Sequence, residues 1–229
     1  MHISCVRVMA LENKSAFEIK RLILPVLVFV SNVAVSFLTR PFISESRCFC
    51  PANALDNAIP FVPGFIYIYV LAFLQWAVCV IAVMIIDRRV SDRYCTGIII
   101  GNLISGIIFL AVPMVMSIRP EYSGGGLTGF LVQFIFAADD PPMNIFPSIH
   151  CLFSWGCMRM VFAVSGVNKA IKISNAVFSV LVFLSVLFVK QHLLYDVLAG
   201  IIVFETGLFT AGKIFPRNKS KVECKEEQS

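Results

Sequence analysis

Six stretches of nearly unbroken apolar residues constrain this chain more than anything else in it. They run Leu22–Leu38, Phe61–Ile86, Thr96–Ile118, Ser148–Val164, Ile171–Val189 and Leu194–Phe215. About 20 helical residues, at about 1.5 Å of rise each, cross a hydrocarbon layer of about 30 Å. Within that layer every backbone amide needs a partner inside its own segment, which a helix supplies. The sequence therefore predicts an all-α, polytopic membrane protein, six transmembrane helices in one bundle. It reads as a single domain over residues 1–229, with a short N-terminal segment 1–20 and a tail 216–229. Composition agrees: only 14% of residues are charged, against about a quarter in soluble domains. The first 19 residues are too polar for the apolar core of a secretory signal, so Leu22–Leu38 is expected to be a retained span.

Basic residues set the expected orientation, because they concentrate on the cytoplasmic side. With the N-terminus inside, the outer connections hold only Arg40, Arg47, Arg119 and Lys190, and the other fifteen of the 19 Lys and Arg lie inside. The expected location is a bacterial cytoplasmic membrane, with both termini cytoplasmic. The net charge of +5 is mostly this topology signal and implies no nucleic-acid partner. The eight cysteines form no framework. Cys48-Phe49-Cys50 is too closely spaced for an ordinary disulfide and lacks the companions a zinc site needs, so no metal is expected.

Two outer connections carry further information. Arg40 to Pro60 is rich in Pro, Ser and Asn and reads as irregular loop. Between spans three and four, Gly124-Gly125-Gly126 excludes helix interior, yet Leu127, Phe130, Leu131, Phe134 and Ile135 follow at helical spacing, stopped by Asp139-Asp140-Pro141-Pro142. This is either a helix in the outer membrane interface or a lid packed on protein.

The few polar groups converge. Arg119 leaves span three, Ser148 and His150 enter span four, and Lys190, His192 and Asp196 sit between spans five and six, all on the outer side. Ionisable groups beside hydrocarbon point to function by default. The spacing sets His192 and Asp196 four apart on a helix face, where a carboxylate can hold an imidazole in one tautomer. Cations with a small hydroxyl suit a phosphate, and two histidines suit its transfer. Taken singly, Arg119 and Lys190 are headgroup anchors, His150 a helix-end residue and His192–Asp196 a structural pair. Their joint order favours chemistry. Asp139, Asp140 and Asn144 read first as capping or loop-ordering groups, and Tyr67 and Tyr69 as packing or interface residues. No metal-ligand cluster, Gly-rich nucleotide loop or Ser-His-Asp order is present, and no cofactor is expected.

On these residues the chain resembles the type 2 phosphatidic acid phosphatase superfamily, membrane lipid phosphatases and phosphotransferases that share a catalytic core with vanadium haloperoxidases. That family carries Lys-x6-Arg-Pro, Pro-Ser-Gly-His and Ser-Arg-x5-His-x3-Asp motifs. Arg119-Pro120 matches the end of the first, Pro147-Ser148-Ile149-His150 the second, and Ser185, His192 and Asp196 fit the third. The motif cations are replaced by Val112 and Val186, and a glycine by Ile149. Asp56-Asn57-Ala58-Ile59-Pro60-Phe61, Asp140-Pro141-Pro142-Met143-Asn144 and Lys190-Gln191-His192 resemble the inositolphosphotransferase and sphingolipid-synthase branch and its bacterial homologues.

The resemblance implies that His192 is the nucleophile, Asp196 its orienting partner and His150 the general acid. Arg119, Ser148 and Lys190 would bind phosphate, with Asn144, Ser185 and Asp140 in support. The expected activity is metal-independent hydrolysis of a membrane lipid phosphate through a phosphohistidine. The alternatives are transfer of a phospho-headgroup to a lipid alcohol and, from other classes, a small transporter or an inactive lipid-binding relative. A transporter would place its ionisable groups near the midplane, commonly with repeated halves, and this chain does neither. The partners expected are the lipid substrate and the bilayer, with no obligate protein partner.

Overall fold

The computed structural model describes residues 21–216. Among these the regular structure is helical, relieved only by isolated bridges between Phe49 and Met114 and between Val115 and Met143. In chain order the helices are α1 (Arg21–Phe42, ending in a 3-10 turn), α2 (Ala54–Ala58), α3 (Ile66–Ile86) and α4 (Arg88–Ala111). Then follow α5 (Gly126–Ala138), α6 (Ile149–Ala163), α7 (Lys169–Phe188) and α8 (Leu194–Ile214). The segment 1–20 and the tail beyond Pro216, both expected in the cytoplasm, lie outside the described residues.

Five helices, α1, α3, α4, α7 and α8, are long and apolar enough to cross a membrane. The expected fourth span, α6, has 15 residues, or about 22 Å of rise. Ser148 caps its start, accepting from the Cys151 amide at 3.3 Å, and a turn through Gly166 at φ 78 follows its end. The third span also departs from expectation. Asp87 ends α3 and caps α4, accepting from the Val90 amide at 3.1 Å, so α4 starts at Arg88 instead of Thr96. It stops at Ala111 because Pro113 drives the preceding Val112 out of the helical region (φ −132, ψ 70). Arg119 therefore lies on a non-helical segment, 112–125, away from the helix end. The Arg40–Pro60 connection, expected to be irregular, includes 3-10 turns and α2.

The bundle is closed by small residues and a few polar bonds, the usual means where lipid removes the hydrophobic drive between helices. A Cβ on Gly207 would lie 2.3 Å from the Gly97 carbonyl, so α8 and α4 touch backbone to backbone. Trp76, Leu152, Phe153 and Phe204 fill the core between α3, α4, α6 and α8. α1 is tied on by two amides: Asn102 donates to Ser31 Oγ at 2.9 Å, and Asn144 to Thr39 Oγ1 at 3.0 Å and the Ser36 carbonyl at 3.2 Å. Large apolar side chains such as Leu74, Ile107, Ile202 and Phe209 face outward.

Candidate active site

Polar groups crowd at the turn from α7 to α8. Lys190 takes a left-handed conformation (φ 55), and the amides of Gln191 and His192 both return to the Val186 carbonyl, at 2.9 and 3.1 Å. Asp196, in the first turn of α8, reaches back to accept from the Leu193 amide at 2.7 Å. His192 thus precedes the helix and does not share a helical face with Asp196, correcting the spacing argument. The two still meet, Nδ1 to Oδ2 at 3.5 Å, because the capping turn folds the carboxylate back toward the ring. The ring's shorter bond is from Nδ1 to the Ile145 carbonyl, at 2.8 Å. A carbonyl only accepts, so Nδ1 carries a hydrogen, and in the neutral ring the lone pair is then on Nε2.

The start of α6 brings in the second histidine. The Ser148 amide donates to the Asp196 carbonyl at 3.0 Å, joining α6 to α8. Two residues on, the His150 ring stacks on Tyr69 with centroids 4.3 Å apart, and meets Trp76 at 5.1 Å and Phe73 at 5.5 Å. These aromatics recur at intervals of four and three along α3, one helical face. His150 Nε2 is buried without a partner. The His150 and His192 rings lie 6.0 Å apart, and both line a cavity of about 280 Å³. Asn32, Ser36, Arg40, Asp139, Asn144 and Gln191 are on its polar walls, and Val33, Phe37, Phe73 and Phe109 are among its apolar ones.

Asp139 holds two guanidiniums: Arg40 Nη2 on Oδ1 at 3.0 Å and Arg119 Nη2 on Oδ2 at 2.7 Å. Burial pushes the Asp139 carboxyl up, against the Arg119 hydrogen bond and the charges of Arg119, Arg40 and His192. Arg119 also donates to Gln191 Oε1 at 3.2 Å and lies over the Phe136 ring at 4.7 Å. It stands behind the cavity wall, where the resemblance implied direct contact with phosphate.

The other expected residues fall unevenly. His150, His192 and Asn144 line the cavity. Ser148 caps α6 with its hydroxyl, and Ser185 Oγ donates to the Val182 carbonyl at 2.8 Å, inside α7. Asp140 is exposed, and its neighbour Asp139 takes the place at the cavity. Lys190 points elsewhere: its Nζ donates to the Asp56 carbonyl at 2.8 Å. Burial draws the Lys190 ammonium down, against the pull of Asp56. Asp56 also accepts from the Leu194 amide at 2.9 Å and the Asn53 amide at 3.0 Å, so α2 clamps the turn that carries His192.

Sequence reasoning missed Arg40, Asp139, Gln191, Asp56 and the aromatic face of α3. The period of Tyr69, Phe73 and Trp76 was a usable signal, as was Arg40's membership of the four outer cations. The Ile145 carbonyl, a backbone group, left no signal. In comparisons with known proteins, no protein-family model, no curated protein and no solved structure matches the chain.

Proposed function

We propose that the protein is a metal-independent phosphatase of membrane lipid phosphates, acting through a phosphohistidine. In this reading α6 is the sixth span, the cavity opens at the outer face of a bacterial cytoplasmic membrane, and both termini are inside. The observation that carries it is the pair of histidines across one cavity, ring centroids 6.0 Å apart, with the lone pair of His192 Nε2 free. One tetrahedral phosphate can bridge such a gap, and phosphoryl transfer asks mainly for position and charge.

His192 Nε2 attacks phosphorus and the P–O bond to the lipid breaks, with the departing oxygen taking a proton from His150. Water then attacks the phosphohistidine, giving its proton to His150 as the P–N bond breaks and inorganic phosphate leaves. His150 has aromatic rings beside it, so the substrate's negative charge is what favours a proton there.

A second reading, transfer to a lipid alcohol, is favoured by one atom. Asn144 Nδ2 donates to a carbonyl, which fixes its amide and leaves Oδ1 a buried acceptor without a partner. An alcohol O–H suits it.

Purified protein in detergent, given phosphatidate, prenyl diphosphate, phosphatidylglycerophosphate and phosphoinositide with EDTA present, should release phosphate from at least one, and His192→Ala should not. Added lipid alcohol separates the two readings by the product formed. Failure on every substrate, or loss with EDTA reversed by magnesium, overturns the proposal. For orientation, Ser123→Cys in a Cys48→Ser, Cys50→Ser background should react with an impermeant thiol reagent on intact cells. Labelling only after permeabilisation reverses the topology.

A further inference from the structure

A lipid phosphate must be met by donors, yet where the family's motifs carry lysine and arginine this chain has Val112 and Val186. Neither substitutes: Val112 is half-exposed, and Val186 is buried in an apolar cluster with Ile66 and Val132. Lys190 is spent on the Asp56 carbonyl. The cation on the cavity wall is Arg40, from the end of α1. Its Nη2 donates to Asp139 Oδ1 at 3.0 Å and to the Pro141 carbonyl at 2.9 Å.

Gln191 stands on the same wall, next in sequence to His192. Its Oε1 accepts from Arg119, which fixes the amide and turns Nε2 into the free donor. The residue is 4% exposed and Nε2 has no partner. A buried amide donor beside a cavity, left unpaired, is the mark of a ligand to come.

We propose that Arg40 and Gln191 bind the substrate's phosphate in place of the missing motif cations, and that Asp139 is the counter-ion which that phosphate displaces from Arg40. This rests on the phosphatase reading. A phosphate and a carboxylate present the same kind of oxygen to a guanidinium fork, so one can replace the other. Arg119 makes the exchange affordable, because it holds the other oxygen of Asp139 at 2.7 Å and keeps that carboxylate paired once Arg40 turns away. The phosphate then receives Arg40 and the Gln191 amide on the side of His192.

Vanadate binding tests this without turnover. Trp76 lines the cavity, so in a Trp155→Phe background its fluorescence reports occupancy alone. Arg40→Gln should weaken vanadate by about tenfold or more, the effect of losing one charge-assisted bond. Arg40→Lys should fall between, and decides the matter if the glutamine variant does not fold. Gln191→Met should weaken binding. Asp139→Asn should tighten it by about threefold or more, since removing the competing anion raises the fraction of Arg40 ready to bind. Arg40→Lys keeps the charge and loses the guanidinium fork, so its intermediate weakening separates direct contact from the field of the pair. Arg40 variants titrating like the wild type, or Asp139→Asn binding more weakly, overturn the proposal while the phosphatase reading stands. A wild type that hydrolyses no lipid phosphate and gives no saturable vanadate response overturns both.

Discussion

His192 donates from Nδ1 to the carbonyl of Ile145 at 2.8 Å, so a backbone atom of the loop before α6 fixes the tautomer of the imidazole proposed to attack phosphorus. Asp196, at 3.5 Å, stands behind that bond as charge. In hydrolases whose carboxylate alone sets the tautomer, its amide variant is severely impaired. Here Asp196→Asn keeps the tautomer and loses the charge. The expected outcome is a fall in kcat of about 10–100-fold, the range of one hydrogen bond to a charged group, with KM little changed. A loss equal to that of His192→Ala would return the tautomer to Asp196.

The sequence revealed those parts of the molecule that depend on long apolar runs or on local spacing. The bounds of α1, α7 and α8 follow closely from hydropathy, and α5 begins and ends where Gly124–Gly126 and Asp139–Pro142 say it must. The third span was misplaced because hydropathy cannot see that Asp87 caps a helix beginning with two arginines. Pro-Ser-x-His and His-x3-Asp single out the two histidines that the fold brings to one cavity. Their supporting groups were not legible, because Asp56, Asp139 and Gln191 act across 138, 99 and 72 residues of sequence. The placements of Lys190 and Asp140 were not legible for a related reason: neighbours one position apart, such as Asp139 and Asp140, point to different places, and composition does not say which.

His150 lies in an aromatic box with its Nε2 unpartnered. If it protonates the leaving oxygen, the cost of His150→Ala depends on what leaves. With a lipid alkoxide the loss should be on the order of 10²–10⁴. With an aryl phosphate, whose phenolate departs unaided, it should be small. His192→Ala should abolish turnover of both. A leaving-group series in which the His150 variant loses one constant factor would remove its role as acid.

The ammonium of Lys190 is engaged by Asp56, so Lys190→Met should bind vanadate as the wild type does. A tenfold weaker titration would restore the phosphate-binding role that its position beside His192 suggests. Asp56→Ala should act on the fold instead. It strips the Leu194 and Asn53 amides of their acceptor, and the expected cost is about 3 kcal/mol, from two hydrogen bonds to a buried charged group. A thermal unfolding midpoint in detergent within a degree of the wild type would show that α2 does not clamp the turn.

Gly200 is where α8 touches the first turn of α6. A Cβ there would sit 2.4 Å from the Ser148 carbonyl and 3.2 Å from the Leu152 amide nitrogen. Both contacts are backbone, so no rotamer change can relieve them, and α8 must move away from the first turn of α6. That movement strains the bond from the Ser148 amide to the Asp196 carbonyl and separates His150 from His192. Gly200→Ala should therefore cost about 1–3 kcal/mol of stability, the range of overpacked cores. It should lower kcat more than one methyl far from substrate would suggest, since small displacements of a reacting pair cost orders of magnitude in rate. The matched control is Gly64→Ala, where the new Cβ meets nothing within 4 Å. Thermal midpoint and kcat measured on both variants check it. Equal behaviour of the two alanines would mean that α6 and α8 are not held at the distance on which the histidine pair depends.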